Sequence, residues 1–172
     1  YTAVLNIQAK FDSALVLTKD ALQLANRFGN EERIIIAQQN LSATYSYLQD
    51  YESALQYLLP SVAYFEKTKN DARLSLIYDN LGVIYRETKQ YDKALEFHQK
   101  ALAIARKSGN SYDIANVLSN LGNAYSSSKR YDSALVIMQD GLGIARKENY
   151  DNIESNIISN IGAVLIKQGR YD

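Results

Sequence analysis

The chain has 172 residues, 47% of them apolar, enough to bury a sizeable core, and it carries 19 Lys plus Arg against 19 Asp plus Glu. A net charge of zero leaves no basic excess to follow a phosphate backbone or an anionic membrane, so nucleic acid is not an expected partner. The absence of Cys removes disulfides, thiolate chemistry and Cys-based zinc sites, and apolar runs such as Ile34-Ile35-Ile36-Ala37 fall far short of the ~18 residues that insertion into a membrane needs.

Residues 1–30 open at Tyr1-Thr2, carry Phe11-Asp12-Ser13-Ala14-Leu15 and close on Gly29-Asn30. They read as parts of a first helix pair, and because the chain starts on Tyr rather than Met it reads as an excised piece of something longer. Helices are then expected near 31–49 and 52–68, the first opening on the acids Glu31 and Glu32 that a helix N-terminus favours. Pro60 falls inside the second and should kink it by removing one backbone donor. Near 71–89 the apolar residues Leu74, Ile77, Tyr78, Leu81 and Tyr85 recur at helical spacing, and near 92–108 Ala94, Leu95, Phe97, Ala101, Leu102 and Ala105 do the same. Gly109-Asn110 then pairs a left-handed stop with a cap for the next helix, as Gly29-Asn30 does earlier. Helices near 111–129, 132–148 and 151–169 complete the series before Tyr171-Asp172. Links such as Lys89-Gln90 and Lys129-Arg130 are so short that consecutive helices must be antiparallel neighbours.

These elements are copies of one another. Phe11-Asp12-Ser13-Ala14-Leu15 returns as Tyr51-Glu52-Ser53-Ala54-Leu55, Tyr91-Asp92-Lys93-Ala94-Leu95 and Tyr131-Asp132-Ser133-Ala134-Leu135, a period of 40 without insertion. Residues 1–172 are therefore read as a single repeat domain: a partial repeat at 1–30, complete ones at 31–70, 71–110 and 111–150, and a partial one at 151–172. Small residues keep the same beat: Thr2, Ser42, Gly82, Gly122 and Gly162 on the first helices, and Ala14, Ala54, Ala94, Ala134 with Ala21, Ser61, Ala101, Gly141 on the second. Larger side chains there would hold the helices apart. That series absorbs the one apparent phosphate loop, Gly141-Leu142-Gly143, which follows no strand and lacks the third glycine of a dinucleotide fingerprint.

Tyr78, Leu81, Gly82, Tyr85 and Ala94, and again Leu118, Leu121, Gly122, Tyr125 and Ala134, stand at the spacing of the tetratricopeptide repeat signature, which the chain resembles along its whole length. It departs in a period of 40 rather than 34 and in Glu66, Arg106 and Arg146 where the family closes on Pro. Longer helices account for both, and this variant looks like the repeats of kinesin light chains, Leu-Gly-Asn polarity adaptors, and bacterial peptide receptors and sensors. The resemblance implies an all-α, right-handed superhelical solenoid of antiparallel helix pairs, a concave groove lined by first helices, and no catalytic activity or cofactor.

Asn40, Asn80, Asn120 and Asn160 recur with the same period. At ~100° per residue, Asn116, Asn120 and Asn123 lie opposite the apolar stripe of Leu118, Leu121, Gly122 and Tyr125. A carboxamide offers both a donor and an acceptor, which suits an extended peptide backbone, and the resemblance implies such an asparagine ladder. Asn156 joins Asn116 on this face, with Gln39, Asp79, Arg86 and Lys167 as specificity residues. The competing reading is that each Asn bonds to the neighbouring repeat and ties the stack together.

His98, aligned with Thr18, Leu58 and Met138, reads as a partly buried packing residue, since one His without Cys makes no metal set. Tyr51, Tyr91, Tyr131 and Tyr171 keep register and are expected to wedge between helices. In the last helix Ile157, Ile158, Ile161 and Leu165 form a stripe with no following helix to cover it, which suggests end-to-end self-association or cover by further repeats. The expected function is a non-catalytic scaffold for a protein or peptide segment. The alternative is a sensor array of a histidine kinase or transcription regulator whose output domain lies outside this chain. Both a cytoplasmic and a periplasmic setting fit.

Overall fold

Gly or polar residues in the left-handed region punctuate the chain at every helix end. Gly29, Lys69, Gly109 and Asn149 close one set of helices and Gln49, Lys89, Lys129 and Gly169 the other, all with positive φ. The structure, a computed structural model, describes the backbone of residues 2–170 and the side chains of residues 13–170. Among the described residues these stops bound eight helices: α1 (Thr2–Phe28), α2 (Glu31–Tyr47), α3 (Tyr51–Lys67), α4 (Asp71–Glu87), α5 (Tyr91–Ser108), α6 (Ser111–Ser127), α7 (Tyr131–Lys147) and α8 (Asp151–Lys167). No strand occurs among the described residues.

Caps set the starts. Asn30, Asn70 and Asn110 each turn a side-chain oxygen onto a backbone N–H of the first turn, of Arg33, of Arg73, and of Tyr112 and Asp113. Asp50 does the same for α3, and the Ser53 hydroxyl and N–H hold its carboxyl below the usual carboxylate range. Gln90 and Arg130, at the equivalent starts of α5 and α7, make no side-chain cap bond.

The first helix departs from expectation. Each later first helix stops at a positive-φ residue, and the residue in that register at the start of the chain is Ala9. Alanine is the best helix former and is strained at positive φ, so α1 runs on through Ala9 as one helix instead of breaking into a pair. Pro60 lies on the exposed side of α3, which continues through it to Lys67.

The chain divides into two compact units, residues 1–69 with α1 to α3 and residues 70–172 with α4 to α8. In the first, α2 packs on both α1 and α3. In the second, each helix packs on the next, and the first helices α4, α6 and α8 also touch in succession. Ala54, Ala94 and Ala134, and Ser61 and Ala101, are fully buried, as close helix approach demands. A Cβ on Gly82 would lie 2.6 Å from the His98 ring, one on Gly122 2.5 Å from Met138 Cγ, and one on Gly141 3.1 Å from Leu118 Cβ. Gly141 is thus a packing residue. Tyr45 stacks on Tyr57 at 5.6 Å, and Tyr85 on Phe97, one period later, at 5.3 Å. Tyr51, Tyr91 and Tyr131 are half-buried, while Tyr171 lies outside the described residues.

The apolar stripe expected on α8 is split. Ile157 is wholly buried, because α8 packs against α7 and α6, and its Cδ1 would lie 3.2 Å from a Cβ placed on Gly141. Ile161 and Leu165 are half-covered and Ile158 is exposed. Gly162 has open space where its equivalents Gly82 and Gly122 meet a side chain.

Candidate functional site

Helical periodicity puts the recurrent asparagines on the side of each first helix turned away from its own partner. Asn40, Asn80 and Asn156 are exposed, and Asn116, Asn120, Asn123 and Asn160 are half-buried. In the second unit two of them reach back one repeat. Asn120 Nδ2 donates to Asp79 Oδ2 at 2.8 Å, and Asn160 Nδ2 donates to Ser119 Oγ at 3.3 Å. Both bonds span 41 residues, so each Asn contacts the residue just before its own equivalent in the preceding repeat. Lys167 Nζ repeats the register on Ser126 Oγ at 3.4 Å.

The positions expected to read a ligand divide differently from the sequence reading. Asp79 is only 4% exposed, and it is no free specificity residue: Oδ1 accepts from His98 Nδ1 at 2.7 Å and Oδ2 from Asn120. The alternation that places Asp79 beside Asn80 also turns it toward α5, where His98 waits. His98 is fully rather than partly buried, and its Nε2 has no hydrogen-bond partner. Gln39, in the first unit, donates to Ser61 Oγ at 3.3 Å. Arg86 is half-buried with its guanidinium on the neighbouring Glu87 carboxylate. The exposed Lys167 is the remaining charged residue of the predicted set.

Between α4 and α6 these elements leave a cleft of ≈ 140 Å³ lined by Ser75, Leu76, Asp79, Asp113 and Asn116 among others. Ser75 and Asp113 are partly occupied, Ser75 donating to the Ala101 carbonyl and Asp113 accepting from Asn110. In the first unit Asn40 borders a larger, apolar cleft of ≈ 300 Å³ with Leu24, Phe28 and Ile36. Sequence reasoning did not find this second surface, whose signal is the exposure of Leu24 (51%) and Phe28 (71%) on α1. No described helix is long and apolar enough to cross a membrane, and no described His, Cys, Asp and Glu residues group to hold a metal ion.

Residues 73–147, which hold α5, α6, α7 and most of α4, match the family model for the tetratricopeptide repeat. These residues are tetratricopeptide repeats. No curated protein matches the chain. Solved structures do. A Rap protein complexed with competence and sporulation factor is 19% identical with a TM-score of 0.84, over 96% of this chain and 46% of that one. BtubC from P. vanneervenii is 20% identical with a TM-score of 0.78, over 96% of this chain and 69% of that one. A signal transduction ATPase with a tetratricopeptide repeat sensor, from Pyrococcus horikoshii, is 15% identical with a TM-score of 0.77, over 91% of this chain and 26% of that one. At these identities the likeness is one of fold, the all-α solenoid of tetratricopeptide helix pairs. The chain spans less than half of the Rap protein and about a quarter of the ATPase.

Proposed function

We propose that this tetratricopeptide array is a scaffold that binds an extended peptide or protein segment along the face of its first helices. The observation that carries the reading is the asparagine series: one carboxamide per repeat, outside the core stripe, with a cleft beside Asn116. The hydrogen bonds of Asn120 and Asn160 to the preceding repeat support the tying role as well. The two roles are compatible, because each of these bonds uses Nδ2 and the same amide carries a second hydrogen-bonding atom. The Rap protein of like fold was solved complexed with competence and sporulation factor, which supports a binding role for such an array. The likeness to the ATPase's repeat sensor favours a second reading, in which binding is relayed to an output domain.

The test is to pan the full chain against a library of random 12-residue peptides and measure the best binder on Asn80→Ala and Asn156→Ala. Both residues are exposed, so melting should hold while affinity falls roughly tenfold per lost hydrogen bond to the backbone. No enriched peptide, or a binder indifferent to both changes, overturns the reading.

A further inference from the structure

Asn120 and Asn160 meet different residues in the preceding repeat, and the difference is one of hydrogen-bond polarity. Asn160 meets Ser119, whose hydroxyl can donate or accept, so the bond survives a turn of the amide by half a revolution. Asn120 meets Asp79, a carboxylate that only accepts. Turning the Asn120 amide over would set two acceptors against each other and forfeit a charge-assisted hydrogen bond. Asp79 cannot turn aside to relieve this. It is 4% exposed, its other oxygen is engaged by His98 Nδ1, and the His98 ring is pressed so closely on Gly82 that no Cβ would fit between them.

We propose that the buried Asp79–His98 pair fixes the polarity of Asn120, so that this rung holds its Oδ1 as an acceptor at one fixed place and recognises there an N–H donor of an extended peptide backbone. The proposal rests on the peptide-binding reading and adds to it a register. Along an extended chain N–H and C=O groups alternate, and a shift of one residue brings side chains to the opposite face. With Nδ2 held at Asp79, the acceptor Oδ1 keeps one place on the rung, so the register that brings an N–H to it is favoured over the neighbour that brings a C=O. Asp79 and His98 are the positioning residues, acting through Asn120.

Two measurements test it. In the ligand-free, ¹⁵N-labelled full chain, the Asn120 side-chain amide should exchange with solvent at least tenfold more slowly than those of the exposed Asn80 and Asn156. In the double variant Asp79→Ser/His98→Met, which copies Ser119 and Met138 and so leaves no unpaired buried His, that protection should fall to the level of Asn160. Equal exchange at Asn120 and Asn80 overturns the fixed orientation. For recognition, the best binder from the 12-residue library is resynthesised with an ester in place of each backbone amide in turn, which deletes one N–H at a time. One ester should cost about tenfold in affinity on the native chain and less than threefold on the double variant. A peptide that binds well but shows no such position, or shows the same loss on both proteins, overturns the register while the peptide-binding reading stands. Failure to enrich any peptide overturns that reading and the ligand half of the proposal, and amide exchange still decides the orientation.

Discussion

The pairs α4–α5 and α6–α7 are the same backbone unit with different interiors. Gly82 lies against the His98 ring and Gly122 against the Met138 chain, at nearly the same closeness. Beside them Asp79 bonds to His98, whereas the equivalent positions of the other pair hold Ser119 and Met138, neither of them charged. Helix approach is therefore set by the small residues, and the side chain at position 98 or 138 needs only to fill the space. What the polar filling adds is direction: a bonded carboxylate holds the next repeat's asparagine in one orientation.

Exchange of interiors tests this most severely. His98→Ala or Asp79→Ala strands the other member of a buried pair and should destabilise the second unit by about 3 kcal/mol. The double variant Asp79→Ser/His98→Met should recover all but about 1 kcal/mol, since it substitutes a packing that the neighbouring pair already uses. Denaturant unfolding read by hydrogen exchange of α4 to α7 measures both, and a double variant as unstable as the singles breaks the equivalence.

The glycines should differ in sign. Gly82→Ala meets a rigid ring held by Asp79 and should cost about 1 to 3 kcal/mol of overpacking. Gly122→Ala meets a flexible methionine and should cost less. Gly162→Ala meets open space and should stabilise by about 1 kcal/mol through helix propensity alone. Thermal melts of the three rank them, and destabilisation by Gly162→Ala would mean that α8 is covered in solution.

Caps supply a smaller contrast. Asp50 caps α3, while Gln90 at the same place before α5 does not, so Gln90→Asp should stabilise α5 by about 1 kcal/mol at neutral pH. Asp50 has its folded pKa depressed by Ser53. Its contribution is therefore complete above the unfolded carboxylate value and is lost as pH falls through the lower folded value. The gap in stability between native protein and Asp50→Asn should close in acid, and a gap that widens there contradicts the bond to Ser53. Smallest of all, Lys89→Gly and Lys129→Gly relieve a positive φ and should raise stability by a few tenths of a kcal/mol to about 1 kcal/mol.

Much of this was legible in the residues. The period of 40, the helix starts and the close-packed small positions all follow from local periodicity and capping, which repeat because each unit solves the same packing problem. Helix ends fell up to two residues short of the α-helical spans expected, because the last turn closes on the positive-φ residue rather than running to it. The asparagine face was legible too, as residues opposite an apolar stripe. Three things were decided only by tertiary packing. Ile157 is buried by contact with α7 and α6, which no single helix reveals. Asp79, beside an exposed asparagine in the sequence, is inside because α5 supplies His98 to receive it. The orientation of Asn120 depends on a carboxylate 41 residues away. Local pattern dictates which residues form a helix and which face is apolar, but hydrogen bonds between polar side chains depend on which atoms the packed helices bring within 3 Å, and that is a property of the assembled stack.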